Sequence, residues 1–449
     1  MQRLLHLVYS LNRSTLIAFS FMAIILVGTF LLMLPISNTS GKWLPVIDAL
    51  FTATSASCVT GLAVLDTGKD LTIFGQLVLI TLIQIGGLGL MTITTLFAVG
   101  LGKRINISQR LLIQESLNQD APSGVVRIAL DIIKYTLVIE FVFGTILAFY
   151  FYEMLEMGGK ALYWGYWHAI SAFCNAGFDL LGDYASLTAF RGNVVVNLVF
   201  MVLIILGGIG FTVIGDVVQK RKWRYFSLHT KIVLSVNTIL LVVGAVLFWL
   251  LEMENPATIG TLSVGEQWLA SAFQSVTART AGFNTVDIGA LSGASLTLMM
   301  ILMFIGASST STGGGLKTTT FTVLMLSTLA LLRGKKDVVL FKRRIDGNII
   351  SKSYAIFVLA QLWLVLAFFM LLVFDTSGHS YQLILFELIS AFGTVGLGVG
   401  ITTEWNTWCK LILIATMYIG RIGILTFSMS FFNKKVDRIR HPAENILIG

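Results

Sequence analysis

Charge is scarce in this chain. Asp, Glu, Lys and Arg make up 12% of its 449 residues, against about 25% in soluble domains. Hydrophobic residues make up 56%, which leaves too little polar surface to cover a water-soluble globule. Cysteine is scarcer still: Cys58, Cys174 and Cys409 form no disulfide framework and no metal-ligand spacing. The apolar block after Arg3 and Arg13 does not read as a signal peptide, because it is too long and has no small-residue cleavage site. It reads as a first membrane helix. No polar stretch is large enough for a soluble domain, and those around 103–129 and 332–353 read as loops or surface helices. Any nucleotide-sensing domain must therefore sit on another chain.

What is present instead is a series of apolar blocks, such as 16–34, 194–214 and 411–429, each near the ~20 residues that a bilayer-spanning helix needs. A net charge of +8 would suit nucleic acid, but the basic residues gather in short runs between the blocks: Lys103-Arg104, Lys220-Arg221-Lys222, Lys335-Lys336, Lys342-Arg343-Arg344 and Lys434-Lys435. Acidic residues such as Asp66, Asp179, Glu252 and Glu254 favour the opposite face. This is the positive-inside pattern. It predicts a multi-pass, lipid-embedded protein of the cell membrane with both termini cytoplasmic and no nucleic-acid partner.

One unit is used four times. Each copy has an apolar helix, an outer loop, a short amphipathic stretch, a Gly within a small polar sequence, and a second apolar helix. The small sequences are Cys58-Val59-Thr60-Gly61, Cys174-Asn175-Ala176-Gly177, Arg279-Thr280-Ala281-Gly282 and Gly393-Thr394-Val395-Gly396. A Ser-Ala pair precedes the Gly in copies one, two and four (Ser55-Ala56, Ser171-Ala172, Ser390-Ala391), while copy three has Val276-Thr277. The stretch before each Gly is too short to span a bilayer, so it reads as a re-entrant half-helix, tolerated where it is buried in protein and lines a watery cavity. The expected fold is an all-α polytopic membrane protein. Four tandem helix–pore-loop–helix repeats (15–101, 131–218, 231–331 and 353–432) stand in pseudo-fourfold order around one pore, with about eight spanning helices and a cytoplasmic tail, 433–449.

Four such loops suit a dehydrated cation. Stacked rings of backbone carbonyls can replace the water around potassium, glycine reaches the backbone dihedrals that aim a carbonyl at the axis, and the negative end of each half-helix dipole favours positive charge. Side chains beside the glycines are small or apolar, so the backbone must coordinate. The expected filter is Val59, Thr60, Gly61, Asn175, Ala176, Gly177, Thr280, Ala281, Gly282, Thr394, Val395 and Gly396. Small residues in membrane helices more often serve close packing, and that reading suits Gly86-Gly87-Leu88-Gly89 and Gly207-Gly208-Ile209-Gly210.

The second helix of repeat three is interrupted by residues 306–317, which carry no bulky apolar side chain except Leu316 and so cannot face lipid. Gly306, Ser308, Ser309, Thr310, Ser311, Thr312, Gly313, Gly314, Gly315 and Lys317 are candidate gate residues, since their Gly and Ser content suits a switching segment. Gly313 to Thr318 fails the phosphate-loop spacing and lies in no βα unit.

These four filter sequences, the Gly-Gly-x-Gly second helices and the Ser/Gly-rich break resemble, in order and over essentially the whole chain, the Trk/Ktr/HKT superfamily of potassium transporters, and the Ktr-type membrane subunit above all. The resemblance implies potassium uptake, often sodium-dependent, with K+ as the permeant ion, Na+ as an activating ion and no organic cofactor on this chain. It implies a homodimer on a cytosolic, Rossmann-like nucleotide-binding regulatory ring. It makes 306–317 an intramembrane gate, and it puts Arg421 beside the pore below the filter, where its charge tunes flux; the alternative for Arg421 is a structural ion pair. Gly at all four filter positions implies a preference for potassium.

Arg279 would repel potassium if it lined the filter, so it is expected behind it, paired with Asp179 or Asp287. Glu140 reads as a buried, hydrogen-bonded acid. An intramembrane enzyme would need clustered acids, histidines or a nucleophile at membrane depth. A coupled secondary transporter of another small cation would place its site in broken helices of inverted repeats, whereas here one helix is clearly interrupted and the repeats run in one direction.

Overall fold

The computed structural model describes residues 13–101, 105–117, 123–431 and 444. Both chain termini, the basic runs Lys103-Arg104 and Lys434-Lys435, and the expected tail apart from Glu444 lie outside the described residues. Repeat one comprises α1 (Arg13–Met33), the half-helix α2 (Val46–Ser57), and α3 (Ile73–Leu88) with α4 (Leu90–Gly100). A surface helix, α5 (Ile107–Ser116), leads to repeat two: α6 (Val125–Leu155), the half-helix α7 (Lys160–Phe173), α8 (Val194–Gly208) and α9 (Phe211–Lys220). Repeat three has α10 (Leu228–Glu252), α11 (Val264–Thr277), α12 (Gly293–Phe304) and α13 (Thr318–Leu332). A small antiparallel hairpin follows, β1 (Val339–Leu340) and β2 (Arg343–Arg344), where a loop or surface helix was expected. Repeat four has α14 (Gly347–Phe374), α15 (Tyr381–Gly393), α16 (Thr407–Ile422) and α17 (Ile424–Phe431).

Length separates the elements by role. The 21 residues of α1 rise about 32 Å, enough for the hydrocarbon core, whereas the 12 residues of α2 rise about 18 Å and cannot cross. The second helix of every repeat starts on a polar cap that accepts a backbone N–H: Thr72, Asn193, Ser292 and Asn406.

The second helices depart from expectation. Only the third was expected to be interrupted, yet all four are broken. α3 and α4 meet at 95°, α8 and α9 at 96°, and α16 and α17 at 100°. Among the described residues four helices are long and apolar enough to cross a membrane alone, or up to seven spans if each bent pair counts as one, a count that leaves out α12 and α13, which a longer break separates. The cause lies in the Gly-Gly-x-Gly motifs of repeats one and two, which do more than pack, and in the equivalent Gly420-Arg421-Ile422-Gly423 of repeat four. Their last glycines, Gly89, Gly210 and Gly423, turn the chain at φ +82°, +100° and +90°, a region open to Gly. Their first glycines back directly onto the half-helices. A Cβ at Gly86, Gly207 or Gly420 would stand about 2 Å from the carbonyl oxygen of Ser57, Phe173 or Phe392, each four residues before a filter glycine.

Candidate functional site

The four filter glycines form a closed ring. A Cβ on Gly61 would stand 2.5 Å from the Ala176 carbonyl oxygen, on Gly177 2.9 Å from that of Ala281, on Gly282 2.5 Å from that of Val395, and on Gly396 2.1 Å from that of Thr60. The cyclic order is therefore one, two, three, four, with backbone against backbone at each junction. All four have positive φ, between +71° and +95°. Two residues earlier in each repeat a non-glycine is also left-handed: Val59 at +57°, Asn175 at +59°, Thr280 at +74° and Thr394 at +49°. Such outliers cost on the order of 1–3 kcal/mol each and persist only where surroundings enforce them. Alternate left-handed residues turn successive carbonyls toward one side of the strand. The structure thus brings all twelve expected residues together around one axis, each strand fed by the C-terminal end of a half-helix.

Side chains from the half-helices brace these strands. Ser55 Oγ accepts the Gly61 N–H at 3.1 Å, and Ser390 Oγ accepts that of Gly396 at 3.1 Å. Ser171 donates to the Phe178 carbonyl at 2.6 Å, and Thr277, one position later in register, donates to that of Phe283 at 2.5 Å. The Ser-Ala pairs were the visible sign of this. A second brace had no motif to announce it. His168 Nε2 accepts the Leu180 N–H at 3.2 Å, and Glu387 Oε1 accepts that of Val399 at 3.0 Å. His168 and Glu387 each stand nine residues before their filter glycine, a spacing that aligning the repeats would have exposed.

Outside the ring lies a cavity of about 300 Å³, lined by all four filter glycines and by one acid from each repeat: Asp66, Asp179, Asp287 and Glu387. Three of these acids also cap local turns, accepting from Gly68, Leu181 and Gly289 at 2.9 Å each. Burial in the outer loop pushes the Asp179 carboxyl up to about 6, with Asp66 nearby adding to the rise.

On the other side a cavity of about 320 Å³ is lined by Gly87, Gly89, Gly313, Gly315, Lys317 and Arg421, among others. The 306–317 loop lies against the base of the ring. Gly314 N–H donates to Thr394 Oγ1 at 2.9 Å, and a Cβ on Gly313 would meet Thr280 Oγ1. The bend of repeat two holds its other side: the N–H groups of Ser308 and Thr312 donate to the Gly208 and Gly207 carbonyls at 3.1 and 3.2 Å, and the Phe211 N–H donates to the Thr310 carbonyl at 2.9 Å. Lys317 Nζ folds back onto the Gly313 carbonyl at 2.6 Å.

Arg421 makes no ion pair among the described residues. It donates to the carbonyls of Thr312, Gly86 and Gly87, so it ties the loop to the bend of repeat one while its charge faces the inner cavity. The Arg279 pairing is a correction. Arg279 is buried behind the strand as expected, but it touches neither Asp179 nor Asp287; its Nη2 donates to the Gly306 carbonyl at 3.0 Å. Those two acids serve the outer turns, on the far side of the ring. Glu140 accepts from Gln84 Nε2 at 3.1 Å, as a buried hydrogen-bonded acid does.

A model of the cation transport protein family TrkH matches residues 6–440. The Ktr system potassium uptake protein B of Bacillus subtilis is 45% identical over 96% of this chain and 96% of its own length. The potassium/sodium uptake protein NtpJ of Enterococcus hirae is 41% identical over 97% of this chain and 96% of its own. The crystal structure of the potassium transporter TrkH from Vibrio parahaemolyticus superposes with a TM-score of 0.73, covering 93% of this chain and 84% of that one at 18% identity, a likeness of fold. Four glycines closing one ring, four broken second helices and a match over nearly the full length lead to one conclusion: this membrane protein belongs to the TrkH family of cation transport proteins.

Proposed function

We propose that this protein carries potassium into the cell through the glycine ring, with the carbonyls of the four strands replacing the ion's water. The observation that carries the reading is the ring itself: four equivalent backbone segments, each left-handed at two places, with backbone against backbone at each junction. A cation entering from outside meets the acids of the outer cavity, sheds water at the ring where the half-helix dipoles favour it, and is stopped below by the 306–317 loop. Lys317 and Arg421 add positive charge there. In the low-dielectric surroundings of the inner cavity such charges strongly oppose a second cation, so the loop is the closed gate and Arg421 a charge that tunes flux.

Opening needs a partner that binds the open state better than the closed one. The Ktr-system name of the Bacillus relative supports a separate regulatory subunit. The resemblance supports a homodimer seated on a cytosolic Rossmann-like nucleotide-binding ring, and the basic loops support both termini facing the cytoplasm. The Enterococcus relative's name supports sodium as a second, activating ion. The test is potassium flux into liposomes holding the purified protein, with and without the partner and with sodium varied. Potassium-selective flux supports the pore; absence of any cation flux with the partner present refutes it. Flux strictly proportional to a sodium gradient would favour a coupled secondary transporter.

A further inference from the structure

A small cavity of about 20 Å³ lies behind the third filter strand, between repeats two and three. Its polar lining is Arg279 and the Asn237 amide, beside Gly208 and Ala307; the rest is isoleucine, leucine and valine. We propose that it is a binding site for one small monovalent anion, of the size and chemistry of chloride.

The argument starts from Arg279. Its side chain sits at 5% exposure. A guanidinium does not escape burial by losing its proton, and a buried charge without compensation is among the costliest features a fold can carry. Compensation from protein is thin. Nη2 has the Gly306 carbonyl, while Nε and Nη1 have no hydrogen-bond partner among the described residues. Among the described residues no carboxylate forms an ion pair with it. A residue with two unfilled donors and a fixed positive charge therefore lines a void large enough for one water-sized particle.

Water would fill the hydrogen bonds and leave the charge. A halide does both, and the apolar walls suit a weakly hydrated ion. The volume excludes sulfate, carboxylates and nucleotides. Asn237 Nδ2 is already committed to the Val233 carbonyl and Ser308 Oγ, which fixes that wall.

The position gives the site a consequence, which rests on the pore reading above. Arg279 immediately precedes Thr280 in the strand, so its uncompensated charge would disfavour potassium there. Its Nη2 also holds the first residue of the gate loop. Anion occupancy neutralises the first effect and steadies the second.

The binding claim is tested without any flux measurement. Full-length protein is crystallised with bromide in place of chloride, and anomalous scattering at the bromine edge is measured. The expected result is a single peak beside Arg279, lost in Arg279→Gln and in Leu241→Phe, which fills the cavity from its apolar side. Water density with no anomalous peak in wild-type protein at saturating bromide overturns the proposal. Potassium flux is then compared in chloride and in gluconate, which is too large to enter. A fall of about fivefold or more in gluconate, the lower end of ordinary coupling between sites, is expected. A bromide peak with equal flux in both salts keeps the site and overturns its link to conduction.

Discussion

Gly61→Ser is the most direct perturbation of the ring. Gly61 has φ +95°, and holding a side-chain-bearing residue in left-handed backbone costs roughly 1–2 kcal/mol. Sterics add to this. The new Cβ would stand 2.5 Å from the Ala176 carbonyl oxygen and 3.0 Å from Gly177 Cα. Restoring ordinary contact at 3.4 Å requires that carbonyl to retreat by about 0.9 Å, and it is one of only four at its level of the ring. A ring opened on one side loses its fit to potassium and gains nothing toward sodium. If a cost of about 1.4 kcal/mol falls on potassium alone, the potassium/sodium flux ratio drops about tenfold. Gly41→Ser is the control. Gly41 has φ +65° with nothing near the position of a Cβ, so it carries the strain without touching the ring, and its ratio should match wild type. Both ratios are read from liposome uptake of each ion, with melting temperature to confirm folding. An unchanged ratio in folded Gly61→Ser protein refutes the placement of the filter.

Three further outcomes are expected. Arg421→Ala removes the ties to the Thr312, Gly86 and Gly87 carbonyls together with a positive charge in the inner cavity, so partner-free flux should rise several-fold; a folded variant with wild-type flux argues against a latch. Shortening the loop within 308–312 breaks its bonds to the Gly207 and Gly208 carbonyls and should make potassium flux independent of the partner, measured in liposomes against intact protein. Asp179 ionises only above about pH 6, because burial raises its carboxyl from the ordinary range; lowering external pH from about 7.5 to about 5 should therefore neutralise it and weaken potassium capture at the outer mouth. In Asp179→Asn that pH dependence should be lost, with capture fixed at the acid level, and a variant that keeps the wild-type pH profile assigns the effect to another group.

Much of the site was legible because it is repeated. A single Gly in a small polar sequence says little, but Gly61, Gly177, Gly282 and Gly396 share a context that packing alone does not require. Fourfold repetition also revealed the half-helices, whose length rules out a span whatever their neighbours. The bends at Gly89 and Gly210 were misread because Gly-Gly-x-Gly serves packing and turning equally well, and choosing between them needs the backbone dihedrals. The role of His168 was hidden for a different reason. Its partner, the Leu180 N–H, is a backbone group, and backbone groups carry no letter in a sequence.

Bulk composition, periodicity and repetition by themselves determined the membrane class and pointed to four units and twelve strand residues, because burial in lipid and backbone permissiveness are local demands that each residue type states for itself. Only the tertiary structure decided how the units meet. The cyclic order of the ring, the seating of 306–317 on Thr394 and on the bend of repeat two, the reach of Arg421 to Gly86 and Gly87, and the turn of Arg279 toward Gly306 rather than Asp179 or Asp287 all join residues roughly 30 to 330 positions apart. Several of these contacts end on a backbone carbonyl. Every residue offers one, so no choice of side chain could announce which carbonyl an arginine would find.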